Sequence, residues 1–198
     1  MILNEDLLLK YGADFSDFHS GETIFSEGSV PNFYFQVVAG TVGLKNLSDD
    51  GKEFIQNIMT TGECFAESFL FNGKPYNLTG IAITQCRILK LRKNDFRKLL
   101  EDNDHLSSLF LKYFSACLYD KYFMMFNLAA SDPMNKIKAI LNILKRDNNH
   151  KSPFSFQVPL TRQQIANLTG LRVETVIRTI KKMQNSDIVK IENGKIFC

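Results

Sequence analysis

Four side chains with hydrogen-bonding groups lie close together near the end of the sequence, in the segment LRVETVIR. They are Arg172, Glu174, Thr175 and Arg178. An arginine can donate two parallel hydrogen bonds to O6 and N7 of guanine, and a glutamate can accept one from the N4 amine of cytosine. The segment therefore predicts a surface that reads base edges. An exposed ion pair between Glu174 and Arg178, four residues apart on a helix, is the alternative.

The surrounding residues predict a helix-turn-helix over residues 160–183. Thr161, followed three residues later by Gln164, is typical of a capping box at the start of a first helix, TRQQIANLT. Gly170 permits a sharp turn, and a second helix is expected from near Arg172 to about Asn185. Its small core is expected to contain Ile165, Leu168, Leu171, Val176 and Ile180. In this geometry the second helix enters the major groove of DNA.

Polar residues on both helices are expected to contact DNA phosphates, which sets the register without specifying the sequence. These residues are Thr161, Arg162, Gln163, Lys181 and Lys182. After the second helix, IVKIENGKIF predicts two short strands around Asn193-Gly194. We therefore expect a winged helix-turn-helix.

The charge of the chain is distributed unevenly. Residues 133–198 contain 12 Lys/Arg and 4 Asp/Glu, whereas residues 1–132 contain 12 Lys/Arg and 17 Asp/Glu. A basic last third joined to an acidic body indicates that only the last third meets a polyanion, here double-stranded DNA. The alternative is a small-molecule-binding module whose last domain serves protein contacts, and the basic balance argues against it.

The sequence also predicts the elements that position this segment. Short, partly alternating apolar runs from Gly21 to Leu91, separated by turn signals such as Asp50-Gly51, predict an antiparallel β-barrel or jelly roll. About the first 15 residues are expected to form a short amphipathic helix. Another short helix, DFRKLLED, is expected after a cap at Asn94 or Asp95.

A long helix without Gly or Pro is predicted next, in HLSSLFLKYFSACLYDKYFMMFNLAA. Its apolar residues recur at spacings of three and four, which is typical of helices that pack nearly parallel. We expect a homodimer through this helix, with packing against its own barrel as the alternative. Asp132 and Pro133 are expected to cap and begin the following helix, which Asp147-Asn148-Asn149 should end. A strand-like FSFQV precedes the helix-turn-helix.

Barrel, long helix and winged helix-turn-helix together resemble the cyclic-AMP receptor protein/FNR (Crp/Fnr) family of bacterial transcription regulators over nearly the whole chain. The stretch TRQQIANLTGLRVETVIRTIKKM carries the most specific likeness, and VETVIR looks more like the FNR branch. The resemblance implies an α+β chain with a cyclic-nucleotide-binding-like barrel at 1–103, a central dimerisation helix at 104–131 and a DNA-binding domain at 132–198. It also implies a homodimer on a two-fold-symmetric site with half-sites ~34 Å apart, and RNA polymerase as a candidate partner.

The resemblance extends to the effector pocket, but the residues differ. Cyclic-AMP-binding members have a Gly-Glu pair and, farther along, an Arg-Ser pair whose arginine neutralises the cyclic phosphate. Here the corresponding pairs are Ala66-Glu67 and Asn77-Leu78. Asn lacks the charged bidentate contact of Arg, although Lys74 offers a point charge nearby.

Lys121 and Tyr122 fall roughly where family members touch the effector base, so they complete the candidate pocket. We expect no response to cyclic AMP, and the effector is either unknown or absent.

Cofactors and catalysis are not expected. Cys64, Cys86, Cys117 and Cys198 lack the spacing of a metal or iron–sulfur site and are expected to be mostly buried apolar residues. The three histidines lie far apart in the sequence, although His19 and His105 leave haem as an alternative. No apolar run approaches the ~20 residues of a membrane span, and the first residues lack a basic signal-peptide region. We therefore expect a cytoplasmic protein.

Overall fold

A computed structural model of the chain describes residues 3–48, 51, 53–129, 131–146 and 152–198. It comprises two compact units, Met1–Tyr113 and Phe114–Cys198. The boundary between them falls inside the long helix α4 (Asp104–Ala129), which is continuous through it.

The first unit is built on two four-stranded antiparallel sheets. The first sheet has the order β1-β8-β3-β6, and the second has the order β2-β7-β4-β5. The strands are β1 (Asp14–Phe18), β2 (Thr23–Phe25), β3 (Phe33–Ala39), β4 (Thr41–Leu47), β5 (Glu53–Thr60), β6 (Cys64–Phe65), β7 (Thr79–Ala82) and β8 (Cys86–Arg92). The helices are α1 (Glu5–Lys10), α2 (Glu67–Asn72) and α3 (Lys93–Glu101). This confirms the jelly-roll prediction, although Asp50 of the expected turn lies outside the described residues.

Two helices of the first unit were expected correctly, but their bounds were wrong. The helix expected over about the first 15 residues ends at Lys10. Gly12, with φ 88°, then turns the chain, and Asp14 begins a strand that pairs with β8. Helix α3 starts at Lys93, before the expected caps at Asn94 or Asp95. Since β8 runs directly into α3, the backbone N–H of Lys93 is satisfied by the carbonyl of Asn32 at 2.9 Å instead of by a side-chain cap.

The second unit carries the end of α4, then α5 (Pro133–Arg146), α6 (Arg162–Thr169), α7 (Val173–Asn185), β9 (Lys190–Glu192) and β10 (Lys195–Phe197). Asp132 caps α5 as expected, since its Oδ1 accepts from the N–H of Met134 at 3.1 Å. The expected helix end at Asp147-Asn148-Asn149 lies outside the described residues.

The strand-like FSFQV lies beside β10. The N–H of Cys198 donates to the carbonyl of Phe156 at 3.0 Å, and that of Val158 donates to the carbonyl of Ile196 at 2.8 Å. Within the part of the chain that the structure describes, no helix is long and apolar enough to cross a membrane.

Candidate nucleic-acid interface and barrel interior

Helices α6 and α7 are joined as the sequence predicts. The hydroxyl of Thr161 accepts from the N–H of Gln164 at 3.2 Å, and the side chain of Gln164 accepts from the N–H of Thr161 at 2.8 Å. Gly170 ends α6 in the left-handed conformation, with φ 66°, which a glycine adopts without steric cost. The reciprocal cap and the glycine turn fix where α6 begins and ends, and therefore where α7 begins.

One face of α7 is buried against α6 and its neighbours. Ile165 of α6 and Val176, Ile180 and Met183 of α7 are at most 2 % exposed. Leu171 is only half-buried, so it lies at the edge of this core. Because a helix repeats every ~3.6 residues, burial of this face turns the intervening positions of α7 outward.

The outward face of α7 presents the expected base-reading residues. Arg172, Glu174 and Arg178 are exposed, and Thr175 is half-buried. Among the described residues, no ion pair joins Glu174 to Arg178, so the alternative interpretation of this pair is not realised in this structure. The guanidinium groups and the carboxylate therefore keep their hydrogen-bonding capacity for a partner outside the chain.

Residues expected to contact phosphates lie on the same side of the unit. Arg162, Lys181 and Lys182 line a depression of about 550 Å³ together with Glu174 and Arg178. Arg162 also donates to the carbonyl of Gly194 at 2.6 Å, which ties the start of α6 to the turn between β9 and β10. Thr161 and Gln163 are exposed at that end of α6. Their assigned phosphate contacts remain predictions.

Sequence reasoning missed one residue of this surface. Ile177 lies on the outward face of α7, 51 % exposed, and lines the same depression. It follows Glu174 by three positions and precedes Lys181 by four, so helical spacing alone could have placed it there.

Four aromatic rings pack together in the core of the barrel, among aliphatic side chains. Phe25 stacks on Tyr76 with ring centroids 4.0 Å apart, and Phe35 stacks on Phe65 at 5.2 Å. Phe25 also lies 5.8 Å from Phe35, so the four rings form one group. We call Phe25, Phe35, Phe65 and Tyr76 the aromatic cluster. Burial raises the pKa of Tyr76 to about 12.

A glycine makes room for this cluster. A Cβ atom at Gly80 would lie 2.6 Å from the ring of Phe25, closer than carbon atoms approach. The side chain of Leu78, two residues earlier, is 5 % exposed and belongs to the same core.

The residues of the expected effector pocket differ in burial and in the unit to which they belong. Ala66 belongs to the same core as the aromatic cluster and has the left-handed conformation at φ 59°, whereas Glu67 lies near Cys64 and Tyr34. Asn77 is exposed, and its carbonyl accepts from Nδ2 of Asn46 at 2.6 Å. Lys121 and Tyr122 are exposed on the part of α4 that belongs to the second unit. The Asn77-Leu78 pair therefore contributes a core side chain instead of a charged phosphate contact.

Glu67 is a charged residue buried in the barrel domain. Its side chain is 7 % exposed, and its Oε2 atom makes no hydrogen bond to the described residues. Burial raises the pKa of this carboxyl above its ordinary value. Across the described residues, no three His, Cys, Asp or Glu side chains converge to hold a metal ion.

Comparisons with known proteins match two separate parts of the chain to two families. A family described as the cyclic nucleotide-binding domain matches residues 15–103, and one described as the Crp-like helix-turn-helix domain matches residues 137–198. The cAMP-activated global transcriptional regulator CRP of Haemophilus influenzae is 27 % identical over 92 % of this chain and 79 % of its own length.

Solved structures share the fold. FixK2 of Bradyrhizobium japonicum superimposes with a TM-score of 0.78 at 21 % identity, covering 93 % of this chain and 91 % of that one. The c-di-GMP-responsive regulator CLP of Xanthomonas campestris gives a TM-score of 0.77 at 21 % identity, covering 97 % and 96 %.

Proposed function

Since this chain belongs to the Crp/Fnr family of DNA-binding transcription regulators, we propose that it acts as a homodimer on two-fold-symmetric DNA and does so without cyclic AMP. Arg172 at the N-cap of α7, together with Glu174, Thr175 and Arg178 within the helix, reads base edges in each half-site. The exposed basic residues around them, Lys181 and Lys182 foremost, hold the phosphates.

Support for the homodimer comes from the second half of α4. Its exposed apolar side chains recur at helical spacing and are Leu118, Tyr119, Tyr122, Met125 and Phe126, between 52 % and 78 % exposed. A contiguous apolar helix face of this kind marks a protein interface in a soluble chain. A second copy of the same helix satisfies it with nearly parallel packing.

Support for independence from cyclic AMP comes from the aromatic cluster, which is the observation that carries the proposal. Four stacked rings and Leu78 occupy the barrel interior. Asn77 and Leu78 offer no cation to a cyclic phosphate, which a buried anion requires. A ligand of that kind would have to displace rings whose packing stabilises the barrel itself.

The experiment is a binding titration on a duplex selected from a random pool by the purified protein without nucleotide. Fluorescence anisotropy then gives the dissociation constant of the protein–DNA complex with and without millimolar cyclic AMP. We expect the two values to agree within a factor of about two, since a ligand without differential affinity shifts no equilibrium. A tightening of tenfold or more with cyclic AMP would contradict the proposal.

A further inference from the structure

Ile177 breaks the chemical pattern of the outward face of α7. The neighbours that share this face, Glu174, Arg178 and Lys181, are all charged, whereas Ile177 is apolar and 51 % exposed. It takes no part in the core of the helix pair, which is supplied by Val176 and Ile180. On the face of α7 that is proposed to contact DNA, an exposed isoleucine gains stabilisation by burying its side chain against an apolar group of the DNA.

The major groove offers one apolar group, the C5 methyl of thymine. We infer that Ile177 is a specificity-determining residue that selects thymine by packing against this methyl. The inference rests on the proposed DNA-reading role of α7.

Its neighbours and its own stiffness support this role. Ile177 and Arg178 are consecutive and line the same depression, so a guanine bound by Arg178 and the selected thymine lie within about one or two base pairs of each other. A β-branched side chain in a helix has one strongly preferred χ1 rotamer, so Ile177 loses little freedom on contact. Thr175 is the alternative residue for this contact, because its methyl group can also pack against the methyl of thymine.

The test replaces each thymine of the selected duplex in turn with deoxyuridine, which removes the methyl and keeps every hydrogen-bonding group. Loss of one buried methyl contact should weaken binding about fourfold for one half-site and about fifteenfold when both half-sites are changed. With Ile177→Ala, this loss should disappear at that position and persist at other methyl-sensitive positions. Ile177→Val, which keeps a β-branched side chain, should retain part of it.

Three results would overturn the inference. In the first, the wild type tolerates deoxyuridine at every position. In the second, Ile177→Ala keeps the full loss at each sensitive position. In the third, the loss of affinity caused by deoxyuridine disappears with Thr175→Ser and not with Ile177→Ala. Failure to select any duplex would instead overturn DNA reading itself, so the two failures are distinguishable. Circular dichroism melting of Ile177→Ala confirms folding, which an exposed residue should leave unchanged.

Discussion

Two arginine side chains, at the start and on the outward face of α7, are exposed to solvent. Arg178 and Arg172 are exposed, and neither forms an ion pair with another described residue. A guanidinium without an intramolecular carboxylate contact exchanges only hydrogen bonds to water when it meets guanine, so no ion pair has to be broken for recognition.

Replacing Arg178 by alanine should therefore weaken binding to the selected duplex by ~1–3 kcal/mol per half-site. Arg178→Lys should recover little of this, because an ammonium cannot reproduce the bidentate contact. Lys182→Ala is the matched control and should weaken binding to all sequences about equally while reducing the salt dependence by about one unit per half-site. Equal losses on selected and random duplexes for Arg178→Ala would contradict its assignment as a base reader.

Glu67 should make the stability of the barrel depend on pH. Burial raises the pKa of Glu67 above its ordinary value of 4.5, so the folded protein holds the proton more tightly than the unfolded chain does. The free energy of unfolding should then be greatest below that value and fall as pH rises from it through the folded pKa. Urea titrations of Glu67→Gln from pH 4 to pH 8 should show a variant that lacks this fall and exceeds the wild type at neutral pH. A difference between the two proteins that stays constant with pH would contradict the pKa direction.

At the scale of elements, strands β2 and β7 pair where the ring of Phe25 packs over Gly80. The Cβ of an alanine at position 80 would overlap Phe25, since only 2.6 Å separate them. Gly80→Ala should destabilise the protein by ~1–3 kcal/mol, the usual cost of overpacking a core. Differential scanning calorimetry measures this.

A double-mutant cycle identifies the cause of that loss. Phe25→Leu shortens the side chain that the new methyl would meet, so the double variant Phe25→Leu/Gly80→Ala should be more stable than the sum of the single effects predicts. Strict additivity would show that Gly80 is needed for a reason other than the ring of Phe25.

The elements differ in how far the sequence predicts them. The start and turn of the helix-turn-helix were predictable because Thr161, Gln164 and Gly170 act through bonds only a few residues apart. The strand at Asp14–Phe18 was not, since its partner Cys86–Arg92 lies some seventy residues away and nothing local marks the pairing.

The barrel interior shows the same limit. The absence of the Arg-Ser pair was visible in the sequence as Asn77-Leu78, but the aromatic cluster that occupies the interior was not. Its rings come from four separate parts of the chain, and only the fold stacks Phe25 on Tyr76. Ile177 was missed for a different reason: an apolar residue of a helix is expected in the core, although its spacing from Glu174 and Lys181 places it on the exposed face.

At the scale of the whole molecule, the exposed face of α4 predicts that dimerisation controls DNA affinity. Phe126, 78 % exposed, is the clearest site for a disruptive charge. Phe126→Lys should convert the dimer to a monomer in sedimentation equilibrium. Affinity for the two-fold duplex should fall roughly 100-fold, because the second half-site no longer benefits from linkage.

Ser107→Lys places the same charge at an exposed polar position of the same helix and should leave both properties unchanged. A Phe126→Lys protein that remains dimeric would show that the subunits meet elsewhere.

The most direct test of a dimer that reads two-fold DNA through α7 is the effect of half-site spacing, measured without cyclic AMP. Inserting five base pairs between the half-sites rotates one of them by about half a turn of the duplex, onto the opposite face. We predict that the affinity then falls to that of a duplex carrying a single half-site. An affinity that survives the insertion unchanged would contradict paired recognition helices acting as one unit.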